Sequence, residues 1–448
     1  MPDISFPRNF IWGAATSAYQ IEGAVNGGGR GVSIWDTFSH TPGKVFNGDT
    51  GDTACDHYNR YKQDVSLMKE LGLKGYRFSI AWPRVFPEGR GKCNPKGLDF
   101  YKALVEELLK NNIEPVATLY HWDLPQIFQD MGGWLNSDTV EYFAEYSSVV
   151  FKELGDMVDL WITQNEPMST AFLGNFTGDY APGLTDPAVA VQVSHNLLLS
   201  HAEVVRIYRQ MNLKGHIGIA FNFYPIHPAS ESPEDMKTAI RVDGVLNRWF
   251  ADPLFKGKYP EDILEIFSEK LGSPVIKPGD MELIAGNSVD FLGINYYSRL
   301  VVKGSQNDPL LGYEQINPEG SSYTGIGWEI YPRGLYEILL RVRQDYGNIP
   351  MYITENGAAF RDDNLVSGII DDTDRIEYLQ GHLFELWKAI KNGIDIRGYY
   401  LWSLMDNFEW EYGYSQRFGI IHVDYKTLER TWKKSAHWYR DVICENGF

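Results

Sequence analysis

Three cysteines in 448 residues, no excess of basic charge and no long apolar run narrow what this chain can be. Cys55, Cys93 and Cys444 are scattered without metal-ligand spacing, and an odd count does not build a disulfide framework, so they read as structural thiols. A formal charge of -18 opposes phosphate backbones and anionic membranes, which are held by basic patches. Nucleic acid and membranes are therefore not expected partners. The N-terminal stretch "MPDISFPRNF" has no basic segment followed by an apolar one, and no window approaches the ~20 apolar residues of a spanning helix. Residence in the cytoplasm is the expectation. Low-complexity linkers and charge blocks are also missing, so one domain is expected over residues 1–448. The glycines of "GGGR" at 27–30 lack the strand-then-helix setting of a dinucleotide loop and read as a flexible turn.

What the chain does have is aromatic residues, 14% of the total with 13 Trp and 27 Tyr; these suit sugar stacking and also fill cores. Eight short apolar runs recur: "FIWGAAT" from 10, "YRFSIAW" from 76, "PVATLYHW" from 115, "LWITQNE" from 160, "IGIAFNF" from 217, "FLGINYY" from 291, "MYITENG" from 351 and "GYYLWSL" from 398. They are continuously apolar rather than alternating, as parallel strands buried on both faces are. Helical spacing lies between them, as in "YNRYKQDVSLMKELG", "LDFYKALVEELLKNN" and "DRIEYLQGHLFELWKAIKNG", the first and last stopping at Gly72 and Gly393. The repeat predicts an α/β fold, a (β/α)8 TIM barrel with its active site at the C-terminal ends of the strands. An open doubly wound sheet is the alternative. Two long connections, 39–57 after the first strand and 298–328 after the sixth, are expected to wall the pocket.

Two glutamates end strands. Glu166 closes the fourth run in "ITQNEP", where Pro167 restricts the backbone before it, and Glu355 closes the seventh in "YITENG", where Asn356 and Gly357 suit a tight turn. Strands four and seven stand on opposite sides of an eight-stranded barrel, so both side chains can meet above its axis. Carboxyls about 5 Å apart define a retaining glycosidase, and about 6.5 to 9.5 Å an inverting one. A strand-end glutamate can also be a helix N-terminal residue or half of an ion pair; two at matching ends, each beside an asparagine, favour catalysis.

The stretches "FIWGAATSAYQIEGA" at 10–24, "NEP", "ITENG" and "YYLWSLMDNFEWEYGYSQRFGI" at 399–420 resemble glycoside hydrolase family 1, the retaining β-glucosidase and β-galactosidase group of (β/α)8 barrels. The likeness covers essentially the whole chain. It implies Glu355 as nucleophile, with Arg77 and Tyr297 beside it, and Glu166 as acid/base, its pKa raised by the charge on Glu355. It implies Asn165 on the sugar 2-hydroxyl. Gln20, His121, Glu409 and Trp410 are implied as ligands of the remaining hydroxyls, and Trp402 as an apolar face beneath the ring. No cofactor and no metal are expected: "YHWD" juxtaposes His121 and Asp123, but no third ligand stands at zinc-like spacing.

The expected activity is hydrolysis of terminal nonreducing β-D-glucosyl residues, from short glucosides such as cellobiose or from aryl glucosides, with retention. β-Galactoside or β-fucoside hydrolysis at the same site remains open, as does a homo-oligomer. Family members that use 6-phosphosugars resemble a different loop, with serine where Glu409 stands and lysine and tyrosine at the positions of Gln416 and Phe418; all three differ here. A noncatalytic sugar-binding barrel would need a lost carboxylate, and a Schiff-base aldolase a strand-end lysine; neither is found in the strand runs. Two neighbours depart from the family pattern: Gln164 places a polar group in a buried strand, where it needs a partner, and Met168 softens the leaving-group side.

Overall fold

The computed structural model describes residues 4–308, 310–362, 365–366 and 368–448. Eight parallel strands, β1 (Ile11–Ala15), β2 (Gly75–Ser79), β3 (Glu114–Tyr120), β4 (Leu160–Asn165), β5 (His216–Asn222), β6 (Phe291–Asn295), β7 (Met351–Asn356) and β8 (Ile396–Trp402), pair in chain order. β8 returns to β1, with Ile11 opposite Gly398 and Ala15 opposite Trp402, so the sheet closes. The expected (β/α)8 barrel forms, and the open sheet does not.

Both faces of the strands are buried, which is why their sequences do not alternate. Inside the barrel Val116, Ile162, Ala220, Phe291, Tyr352 and Tyr400 form one cluster. Trp12, Tyr76, Trp161 and Ile353 project outward into a larger shell shared with the helices. The helix following β1 (His57–Leu71) ends on Gly72, in the left-handed region at φ 78°, whose N–H closes on Met68 and Lys69 carbonyls. The helix following β7 (Thr373–Lys391) ends at Asn392 and Gly393. Among the described residues no helix is long and apolar enough to cross a membrane.

The connection 298–328 adds a small antiparallel pair, Leu300–Gly304 with Tyr313–Ile316, over the C-terminal end of the barrel. The connection 39–57 acts differently: Asp49 accepts the Tyr414 N–H (2.9 Å), bracing the segment that follows β8.

A buried charge network joins the segments that follow β7 and β8. Lys433, fully buried, donates to Asp406 (2.7 Å) and to Asp362. Arg417 lies 2.6 Å from Asp406, which also accepts the Gly419 N–H (3.0 Å). Removing one partner of such a group leaves the others buried and unpaired, at about 3–5 kcal/mol. Asp406→Ala is therefore expected to lower stability by about that amount, measured as a shift of the denaturant midpoint; a shift under about 1 kcal/mol would contradict the role given to this network.

Candidate active site

Side chains alternate in and out along a strand, so Leu160 and Ile162 point into the barrel while Trp161 faces the helices. By that alternation Asn165 would also face outward. The pairing of β4 with β5 shifts register between Ile162 and Asn165, a bulge that re-aims the strand end. Gln164 turns outward, its amide nitrogen donating to the Leu197 carbonyl (3.0 Å) and to Ser200 (2.6 Å) of the following helix. Asn165 turns inward. Glu166 then adopts φ 46°, not the extended backbone expected before a proline, because its N–H donates to Ala220 (2.9 Å) while its carbonyl accepts from Thr170 (3.2 Å).

β7 uses the same device. Tyr352 points in and Ile353 out, so Glu355 would face the helices; a register shift against β6 between Ile353 and Glu355 brings it inward. The strand runs on through Asn356, and Gly357 is not a turn residue. A Cβ there would lie 1.6 Å from the Trp402 carbonyl oxygen, so glycine lets β7 approach the end of β8.

Arg77, 1% exposed, joins the two strand ends. Its guanidinium donates to Glu355 (2.6 Å), to the Thr354 carbonyl (3.0 Å), to Asn165 Oδ1 (2.6 Å) and to Thr118 (3.2 Å). Tyr297 donates to the other Glu355 oxygen (2.6 Å). Glu166 has different company. Asn295 donates to its Oε1 (2.7 Å) and Ser169 to its Oε2 (2.8 Å), both neutral groups.

The two carboxyls therefore differ. Burial pushes both up; Arg77 and the Tyr297 hydroxyl pull Glu355 back. Glu166 is pushed up to about 7, first by burial and then by the negative charge of Glu355, against the weaker pull of Asn295 and Ser169. Glu355 ionises first, and Glu166 keeps its proton close to neutrality.

The other expected residues line the same space. His121 is buried beside Arg77, and desolvation holds it well below the usual imidazole range, hence neutral. The Asn165 amide donates to its Nε2 (3.1 Å), leaving the proton on Nδ1. Its ring stacks near Trp402 and Trp410, each 6.0 Å away between centroids. Trp410, at φ 48°, packs on Trp35 and Trp122. Gln20 is already engaged: it accepts from Ser17 (2.6 Å) and donates to the Phe408 carbonyl (2.8 Å) and Asn407 (3.1 Å), reaching Glu409 only at 3.5 Å. Glu409 is itself raised well above the carboxylate range, by burial and then by Glu411, Glu355 and Glu166. Among the described residues no group of three His, Cys, Asp or Glu could hold a metal ion.

Sequence reasoning passed over Asn295, which donates to Asn165 Oδ1 (3.0 Å) as well as to Glu166 and is held by Thr354 (2.7 Å). It also passed over Ser169. The signal for Asn295 was its place at the end of β6, two residues before Tyr297. Beyond Tyr297 and Met168 a cavity of about 420 Å3 opens, walled by the 298–328 connection as expected and by no residue of 39–57.

The electrostatics can be read directly. In 13C-labelled protein the Glu166 carboxyl is expected to titrate near pH 7, and Glu355→Gln should move that titration to lower pH by removing the adjacent negative charge. An unmoved Glu166 pKa in the variant would rule out the coupling.

Known proteins bear on this geometry. The sequence profile of glycosyl hydrolase family 1 matches residues 3–448. The chain is 51% identical to beta-glucosidase A of Acetivibrio thermocellus, covering 100% of both chains. It is 40% identical to a 6-phospho-beta-galactosidase of Clostridium acetobutylicum, over 98% of this chain and 97% of that protein. A family 1 b-glucosidase structure from Thermotoga maritima superposes with a TM-score of 0.96 at 47% identity, covering 100% of each chain. With a barrel, a pair of strand-end carboxyls and full-length similarity in agreement, the chain belongs to glycosyl hydrolase family 1.

Proposed function

We propose that this protein is a β-glucosidase that releases terminal nonreducing β-D-glucosyl residues from short β-glucosides, with retention, through two displacements. The observation that carries the reading is the unlike company of the two carboxyls: a guanidinium and a phenol around Glu355, two neutral donors around Glu166.

In the first displacement a Glu355 oxygen attacks the anomeric carbon while Glu166 gives its proton to the glycosidic oxygen. The bond to the leaving group breaks, and a glycosyl ester forms on Glu355. That ester is neutral, so the charge that raised the Glu166 pKa is gone and Glu166 now holds its negative charge readily. It takes a proton from water, whose oxygen bonds to the anomeric carbon from the face the leaving group left. Glu355 departs as a carboxylate, received by Arg77 and Tyr297. Asn165, held by Arg77 and Asn295, is oriented toward the 2-hydroxyl, where bonding strengthens as positive charge develops. Gln20, His121, Glu409, Trp410 and Trp402 bind the rest of the sugar.

Glu355→Ala is expected to reduce hydrolysis by at least about 10^4-fold. Added azide should then yield an α-glucosyl azide, because the small anion occupies the nucleophile's side; a β-azide, or no product, would reject Glu355 as nucleophile.

Unphosphorylated sugar is the preferred substrate in this reading. Phe418 is buried against Tyr297 and Trp328, and the nearby cation Arg417 is committed to Asp406. Neither Gln416 nor Phe418 supplies a cation, so the discrimination falls on the charge that a phosphate would lack at those two positions. Aryl β-glucoside is expected to exceed its 6-phosphate by at least about 10^3-fold in kcat/KM; preference for the phosphate would overturn this specificity.

A further inference from the structure

We infer that Ser169, held by Asn222, is a positioning residue that fixes the Glu166 carboxyl and favours its negative form in the second displacement. The inference rests on the glucosidase reading, in which Glu166 is acid first and base second, and names the group that sets the balance between the two.

Ser169 reaches Glu166 through the backbone. β4 ends at Asn165, Glu166 turns at φ 46°, and the helical turn Ser169–Thr177 follows, with the Thr170 N–H donating to the Glu166 carbonyl (3.2 Å). That turn brings a hydroxyl three residues on back to the carboxyl. Ser169 is 2% exposed, so its hydroxyl bonds within the protein.

The two donors on Glu166 differ in kind. Asn295 is fixed as a donor: its Oδ1 accepts the Thr354 hydroxyl (2.7 Å), which leaves its amide nitrogen toward Glu166 Oε1 (2.7 Å). A serine hydroxyl can donate or accept, so its direction must be set by a neighbour. Asn222, at the end of β5, sets it. The Asn222 amide donates to Ser169 Oγ (3.2 Å), which turns the hydroxyl proton to Glu166 Oε2 (2.8 Å). A donor aimed at a carboxyl oxygen stabilises the charged form over the neutral one. With one donor on each oxygen the carboxyl plane is fixed, and the proton it carries in the first displacement is left the lone pairs that face neither donor. Ser169 transfers no proton in this account; it acts through Glu166.

The charges around Glu166 come from other elements. Glu355 on β7 and Glu409 after β8 are the neighbouring carboxyls, and Arg77 on β2 is the neighbouring cation. Tyr180, Tyr224 and Tyr297, after β4, β5 and β6, are phenols that burial pushes up and keeps neutral. Replacing the uncharged Ser169 leaves all of these in place.

The test is Ser169→Ala, with Asn222→Ala as a second variant that frees the hydroxyl to turn away. Losing a donor to the charged form raises a carboxyl pKa. The 13C titration of Glu166 is therefore expected to move up by about half to one pH unit in Ser169→Ala, and by less in the same direction in Asn222→Ala. The alkaline limb of kcat/KM on phenyl β-glucoside, whose leaving group needs the Glu166 proton, should move up with it. So should the acid limb of kcat on 2,4-dinitrophenyl β-glucoside, where breakdown of the glycosyl ester needs the base form. The acid limb of kcat/KM, set by Glu355, should stay in place, and Ser169→Thr, which keeps the hydroxyl, should restore the unmodified profile. A structural role alone would lower kcat without moving a limb. Limbs and titration that are unmoved or lowered in Ser169→Ala, or in Asn222→Ala where the first variant does not fold, overturn this inference, while turnover of either glucoside by the unmodified protein keeps the glucosidase reading. No turnover of either by the unmodified protein overturns both.

Discussion

One guanidinium ties the catalytic end of this barrel together. Arg77 reaches from β2 to Thr118 on β3, Asn165 on β4, and Thr354 and Glu355 on β7. A cation this deeply buried is tolerated only where oxygens satisfy its planar fork and a carboxylate balances its charge. The barrel must therefore be closed, with both bulged strand ends turned inward, before Arg77 can be accommodated. Conversely, Glu355 has its strongest electrostatic support only in that closed state. Closure of the fold and assembly of the site are the same event.

The bulges in β4 and β7 are what convert a strand into a catalytic scaffold. An undistorted strand would send Asn165 and Glu355 into the helical shell, where a carboxylate would find apolar neighbours. In β4 the register shift places one extra residue outward and returns the next to the axis, and the displaced outward residue needs its own partner. Gln164 is that residue in β4, and its bonds to Leu197 and Ser200 explain a polar side chain in an otherwise apolar run. Glu166, Trp122 and Trp410 add positive φ angles around the same space, local strain that surrounding packing and hydrogen bonds hold in place.

The site is chemically divided. On one side stand polar groups, with His121 held neutral by desolvation and the Glu409 carboxyl raised by burial and by neighbouring carboxyls. On the other lies a wall of methyl, thioether and phenyl groups. The abundant aromatics divide the same way: Trp12, Trp82, Trp161 and Trp249 fill the shell between strands and helices, while Trp402 and Trp410 face the catalytic end. Composition alone could not apportion them.

The strands, their parallel order and the barrel class were legible in the sequence because burial on both faces writes a local pattern, eight apolar runs separated by helical spacing. The glutamates were legible too, since each ends such a run and lies within a recognisable family motif. Local pattern carried no information on contacts between distant strands. Asn295, a donor on Glu166 from β6, was passed over for that reason, as was the engagement of Gln20 by the segment after β8; Ser169, only three residues past Glu166, was passed over because the backbone turn at Glu166 that brings it back to the carboxyl leaves no local pattern. Gly357 looked like a turn residue until the Trp402 carbonyl appeared beside it. By itself the sequence determined which eight strands form and in what order, because that depends on side chains close along the chain. The tertiary structure alone decided which way Asn165, Glu166 and Glu355 point and which carboxyl keeps its proton, because register and electrostatics are set by residues that meet only when the barrel closes.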